Sequence, residues 1–224
     1  MSITLYALPG SPPSWRVWLG LLHLGVPFEV KRMSYAAGDM QTPEFLSINP
    51  RGQAPALVDG SLVVCDSMAI LGYLEDEYSD RAQGRSLWPL DKADRARARE
   101  LTEVALNILG NRVYGLLAEQ IFGLPPEERQ PAIINKALST GKRELARFGL
   151  ILEGQDWLVG NAPCLADYVL YGLIGFTLHV DREQPGLKIK ENVEPAVIDW
   201  MRRVESLPRF EETWPTHFVA ITET

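Results

Sequence analysis

The chain has 224 residues, 46% of them hydrophobic, and its 22 Lys and Arg against 29 Asp and Glu give a formal net charge of -7. That length suits two modest domains, each able to bury a core, and an acidic balance without a basic stripe excludes a nucleic-acid backbone as partner. Cys65 and Cys164 offer no disulfide framework, and with no secretory pattern and no apolar run of ~20 residues the expectation is a soluble, cytoplasmic protein.

Residues 2–8 alternate as a strand with apolar residues on both faces. A turn rich in Pro and Gly follows, Leu8-Pro9-Gly10-Ser11-Pro12-Pro13, and Ser14 reads as the cap of a helix that buries Trp15, Trp18, Leu19 and Leu22 and stops at Gly25. A second strand spans 26–33. Thr42-Pro43-Glu44 then opens a short helix, with Thr42 as cap and Pro43 at the first helical position. Strands at 56–58 and 62–64 flank Asp59-Gly60, a hairpin signal, and a further helix runs from Ser67 to about Tyr78. The order β-α-β-α-β-β-α places a small mixed sheet, with helices packed on it, in residues 1–80.

Residues 81–91, with Gly84, Pro89 and Asp91, read as a linker. Beyond them the strand pattern disappears, and 92–224 reads as an all-helical domain. Its helices are expected from Lys92 to about Phe122, from Pro131 to Leu152, after Cys164 through Phe176, and from Pro195 to before Pro208. The fold class is therefore α/β plus all-α.

Three places along the first domain suit one groove. Ser11 puts a hydroxyl beside a helix N-terminus, where exposed amides and aligned peptide dipoles favour an anion such as a thiolate. Gln53-Ala54-Pro55 places a proline before a strand. An ordinary trans turn fits it, and so does a cis bond, which would leave the backbone of residue 54 free to pair with an extended peptide. Asp66 and Ser67 put a carboxylate and a hydroxyl at another helix start, suited to the ammonium and carboxylate of an amino-acid zwitterion; Ser67 also fits a simple helix cap.

Four strings carry a resemblance: Ser11-Pro12-Pro13-Ser14-Trp15-Arg16-Val17, residues 49–57, residues 66–74, and Gly160-Asn161-Ala162-Pro163-Cys164-Leu165-Ala166-Asp167. Over nearly its whole length the chain resembles the glutathione transferase superfamily, in its serine-type classes. The resemblance implies a thioredoxin-like N-terminal domain that holds glutathione and a helical domain that shapes the pocket of a second substrate. It further implies a homodimer, with no metal, acting on a small electrophile, as in detoxification.

Residue by residue, Ser11 matches the hydroxyl that donates to the glutathione sulfur, with Tyr6 and Ser14 as the competing hydroxyls. Ala54 and Pro55 match the cis-proline turn that pairs with the cysteinyl backbone. Gln53 matches the position facing the glycyl end, and Asp66 with Ser67 the pair that holds the γ-glutamyl group. Arg16 suits either attraction of an anion or an outward-facing structural place. Arg112, Tyr114, Phe122, Phe176 and His179 are candidates for the second-substrate pocket. Cys65 reads as a small buried apolar residue, and Cys164 stands where the family has a capping Ser or Thr, paired with the Asp three residues on. His23, His179 and His217 share no metal-ligand spacing.

A thiol with a pKa of ~8.5 is only a few per cent ionised at neutral pH, so the expected chemistry is stabilisation of the thiolate and its addition to the electrophile. Two other functions fit the fold. One is a glutathione-dependent isomerase of the zeta kind, suggested by residues 14–17, although Pro12 and Pro13 replace the Ser-Cys of that class. The other is a non-catalytic module of the same fold.

Overall fold

The structure is a computed structural model that describes residues 3–215. Its first part is a four-stranded sheet in the order β2-β1-β3-β4, built from β1 (Ile3–Ala7), β2 (Phe28–Arg32), β3 (Ala56–Asp59) and β4 (Leu62–Cys65). Strands β1 and β2 are parallel, joined by the kind of helical crossover that a parallel pair requires. The β3–β4 hairpin is antiparallel and pairs with β1 through β3, Leu5 opposite Leu57. Gly60 supplies the positive φ of the hairpin turn.

Helices α1 (Pro12–Leu24), α2 (Pro43–Ile48) and α3 (Ser67–Tyr78) complete this part. Thr42 caps α2 as expected, its hydroxyl accepting the Phe45 N–H at 3.3 Å. Helix α1 begins three residues before the expected start, its cap at Ser11 rather than Ser14, because Pro12 and Pro13 occupy its first two positions, where a missing N–H disrupts no helical hydrogen bond.

The rest is helical. α4 (Lys92–Val104) runs without a break into wider turns over Ala105–Tyr114, the α-helical turn α5 (Gly115–Ala118) and a second wide stretch at Glu119–Gly123. α6 (Pro131–Leu152), α7 (Leu165–Glu183) and α8 (Pro195–Glu205) follow. Central α7 is buried along nearly its whole length. Asp167, fully buried, ties it together: its carboxylate accepts the Cys164 N–H at 2.9 Å, the Leu158 N–H at 3.1 Å and the Trp200 indole N–H at 2.8 Å.

Helix α1 joins the sheet to the helical part. Two glycines of α7 allow its close approach, since a Cβ on Gly172 would lie 3.3 Å from Pro12 Cα, and one on Gly175 would lie 3.1 Å from the Trp15 ring. At the other end of α1, His23 lies between Tyr168 and Ser86, 2.7 Å from the phenol and 3.0 Å from the carbonyl. The carbonyl can only accept, so Nε2 carries the proton and Nδ1 accepts from Tyr168. No helix of the described residues is long and apolar enough to cross a membrane.

Candidate functional site

The β1–α1 junction fixes Ser11. Gly10 turns the chain at a φ of 81°, and the Ser11 N–H closes the turn on the Leu8 carbonyl at 3.1 Å. Ser11 then takes the N-cap position of α1, but its hydroxyl makes no capping hydrogen bond. It borders an open cleft of about 830 Å³, within the size range of small-molecule sites.

The two competing hydroxyls do not line this cleft. Ser14 is the third residue of α1 rather than its cap; its buried Oγ accepts the Leu8 N–H at 3.0 Å and fastens the end of β1 to the helix. Tyr6 packs with Met40, Phe45 and Ala56 in a separate apolar cluster, its hydroxyl taking a hydrogen bond from Lys31 Nζ at 3.1 Å. Arg16 is not outward-facing. Only 5% exposed, it lines the cleft.

The second wall is the loop from Asn49 to Pro55. Buried Asn49 organises it, donating through Nδ2 to the Gln53 carbonyl at 2.5 Å and accepting the Arg51 N–H at 3.2 Å. Gln53, Ala54 and Pro55 all border the cleft, and the Ala54–Pro55 peptide is cis. At the start of α3 the cap is Asp66 rather than Ser67: Asp66 Oδ1 accepts the Met68 N–H at 2.9 Å and the Ala69 N–H at 3.3 Å. Its φ of 81° is a conformation that L-residues rarely adopt, which such sites hold at a cost of order 1–3 kcal/mol. Ser67, buried at the first helical position, also lines the cleft.

From the helical part, Leu106 and Tyr114 reach the cleft. Phe176 supports Tyr114 edge-on, with ring centroids 4.7 Å apart, and Phe122 in turn packs against Phe176 at 5.8 Å. Arg112 is exposed, and neither it nor His179 lines the cleft. Tyr35, Met40, Asn49, Arg51 and Leu106 line it without having been anticipated. Of these only Asn49 left a local signal, an Asn ahead of a Pro-Arg-Gly turn.

The electrostatics divide the cleft. Burial lowers the Arg16 pKa to about 10, with Asp66 and Tyr114 opposing the shift, so the guanidinium stays charged at neutral pH. Burial raises the Tyr114 phenol, which remains a donor. Cys65 borders the cleft and packs on the cluster around Tyr6 and Phe45; burial raises its pKa and keeps it a thiol. Among the described residues no three His, Cys, Asp or Glu side chains are grouped to hold a metal; His217 lies outside them.

Comparison with known proteins adds to this geometry. Residues 5–82 match the family model of the glutathione S-transferase N-terminal domain, and residues 118–208 that of the C-terminal domain. A zeta-class glutathione S-transferase of Euphorbia esula is 33% identical over 174 residues, 75% of this chain and 72% of the relative. Glutathione S-transferase 3 of Zea mays is 29% identical over 219 residues, 94% of this chain and 92% of the relative. Among solved structures, a glutathione transferase homolog from Lodderomyces elongisporus with two GSH per subunit aligns with a TM-score of 0.75 at 24% identity, covering 95% of this chain and 97% of that one.

Proposed function

The chain belongs to the glutathione S-transferase superfamily, and on that premise we propose that it binds glutathione, favours the thiolate, and transfers that sulfur to a small electrophile. One observation carries the reading: Ser11, the Gln53-Ala54-Pro55 turn and the Asp66-Ser67 pair border one cleft. Residues 1–80 would hold the peptide, and 92–224 would supply the electrophile's wall through Leu106 and Tyr114.

Each end of the tripeptide has a partner of matching chemistry. Asp66 spends one carboxylate oxygen on the α3 cap, which leaves the other for the γ-glutamyl ammonium, while Ser67 suits the γ-glutamyl carboxylate. Gln53 and Arg51 flank the glycyl end. The Ser11 hydroxyl makes no hydrogen bond within the described residues, so it is available to donate to the sulfur. The thiol loses its proton to solvent. Its sulfur then bonds to the electrophilic carbon, and the displaced group departs with the electron pair, or, in an addition, the neighbouring carbon takes a proton from water. Leu62 and Val63, exposed on the edge strand β4, support action as a homodimer.

Thermal-shift titration with glutathione, followed by a panel of chlorinated aromatics, enones and epoxides, tests the proposal. A saturable shift with glutathione-dependent turnover is expected. Binding without turnover on any electrophile would identify a non-catalytic module instead. The zeta-class relative keeps a second reading in view, and isomerisation of a cis-enone diacid without net consumption of glutathione would establish it.

A further inference from the structure

We propose that Arg16 is the cation of the thiol site, supplying the donor and charge that free amides at the start of α1 would otherwise provide. The inference rests on the glutathione reading above and deepens it.

A helix N-terminus ordinarily presents several unpaired N–H groups to an anion. This one is depleted. Pro12 and Pro13 have no N–H, and the Ser11 N–H is spent on the Leu8 carbonyl, which leaves only that of buried Ser14 in the first turn. The dipole of α1 remains, but its donors toward the cleft are mostly gone.

Arg16 stands one turn further along the same helix. Its Nε donates back to the Pro12 carbonyl at 3.3 Å, which folds the guanidinium toward the N-terminal end of α1. It forms no ion pair among the described residues, and Nη1 is buried without any hydrogen-bond partner. A buried guanidinium nitrogen without an acceptor is costly unless a ligand supplies one. It lines the cleft with Ser11, and the other ionisable groups bordering that space are Tyr35, Arg51, Cys65, Asp66 and Tyr114. Arg51 comes from the opposite loop, and Asp66 gives one oxygen to the α3 cap and leaves the other for the γ-glutamyl ammonium, so Arg16 is the cation that α1 itself brings to the sulfur.

The test compares the thiol pKa of bound glutathione, read from ultraviolet thiolate absorbance, with binding of S-methylglutathione, which cannot ionise. In Arg16→Gln the pKa should rise by about one unit or more, while affinity for S-methylglutathione changes less than twofold; an opposite charge nearby lowers a thiol pKa by about that much. Arg16→Lys should recover part of the shift, and it carries the test if the Gln variant does not fold. Pro12→Ala with Pro13→Ala restores two N–H groups and should lower the pKa again in the Arg16→Gln background. An unchanged thiol pKa in a folded variant overturns the inference, as does equal loss of affinity for both peptides, which would put Arg16 on a carboxylate. Failure of the unaltered protein to bind either peptide overturns the function proposed above, and this inference with it.

Discussion

Removal of the Ser11 hydroxyl should separate the proposed catalytic role from folding, because that oxygen has no partner within the described protein. In Ser11→Ala the turn keeps its Ser11 N–H to Leu8 bond, and the Trp15 N–H still reaches the residue 11 carbonyl at 2.9 Å. No side-chain capping bond exists to lose, so the cost of about 1 kcal/mol typical of a lost cap should not appear, and stability should stay within ~0.5 kcal/mol. A hydrogen bond to a charged group contributes about 1.5–3 kcal/mol. Spent wholly on the thiolate, that equals a rise of about 1–2 units in the thiol pKa, and at neutral pH a loss of ~10–100-fold in conjugation. The loss should shrink as pH rises, because solvent then deprotonates the sulfur unaided. The assay is a pH profile of kcat/KM beside a urea unfolding curve. A profile that falls uniformly without moving along the pH axis would refute the donor role. Destabilisation above ~1 kcal/mol would instead make Ser11 a structural cap.

At the start of α3, Asp66→Asn keeps both the capping oxygen and a side chain tolerant of positive φ, so it should fold normally and lose glutathione affinity about tenfold by titration; Asp66→Ala should also lose about 1 kcal/mol of stability. Asp167→Ala strands the donors of Cys164, Leu158 and Trp200, each costing about 1–3 kcal/mol, and chemical denaturation should show a net loss of roughly 3–5 kcal/mol once the released burial cost of the carboxylate is counted. For His23, burial lowers the folded pKa below the ordinary 6.5, so below that pH the unfolded chain takes up a proton that the folded one refuses. Stability is therefore held above pH ~6.5 and lost as pH falls toward the folded pKa. His23→Gln should flatten that part of the curve, and an unchanged slope from pH ~6.5 downward would contradict it.

What was legible in the sequence rested on local chemistry. Thr42-Pro43, Asp59-Gly60, Pro131 and Pro195 each mark a boundary through a cap, a positive φ or a proline at the first helical position, and the structure places elements at each. The same logic misplaced the start of α1, where Pro12-Pro13 suited a turn as well as a helix, and the choice depended on Ser14 bonding backward to Leu8. Adjacent Asp66 and Ser67 are both good caps, and the chain's direction at φ 81° gives the position to Asp66. Long-range packing was out of reach. Burial of Arg16 depends on helices far along the chain, and Arg112 and Tyr114, two residues and about 200° apart on an α-helix, cannot both face one cleft. The wide turns at Ala105–Tyr114 further shift that phase.

On the proposed function, the placement of Ser11 at the cap of α1 and of Arg16 within it has a mechanical consequence. Catalytic geometry must hold to within about 0.5 Å, which regular elements achieve better than loops, and α1 is restrained along its length. Pro12 sits against Gly172, and Trp15 meets Tyr171 edge-on at 5.1 Å while its indole donates to Thr213 at 2.8 Å. His23 closes the far end on Tyr168 and Ser86. Helix α7, which takes up the contacts made through Gly172, Tyr171 and Tyr168, also carries Phe176 behind Tyr114. The sides of the cleft proposed for the thiol and for the electrophile are therefore referenced to one helix pair, and a substitution that shifts α1 against α7 should change both together. By contrast, Asn49 governs the Gln53-Ala54-Pro55 wall through the loop's own hydrogen bonds, so glutathione affinity can vary there without moving the sulfur relative to its second substrate.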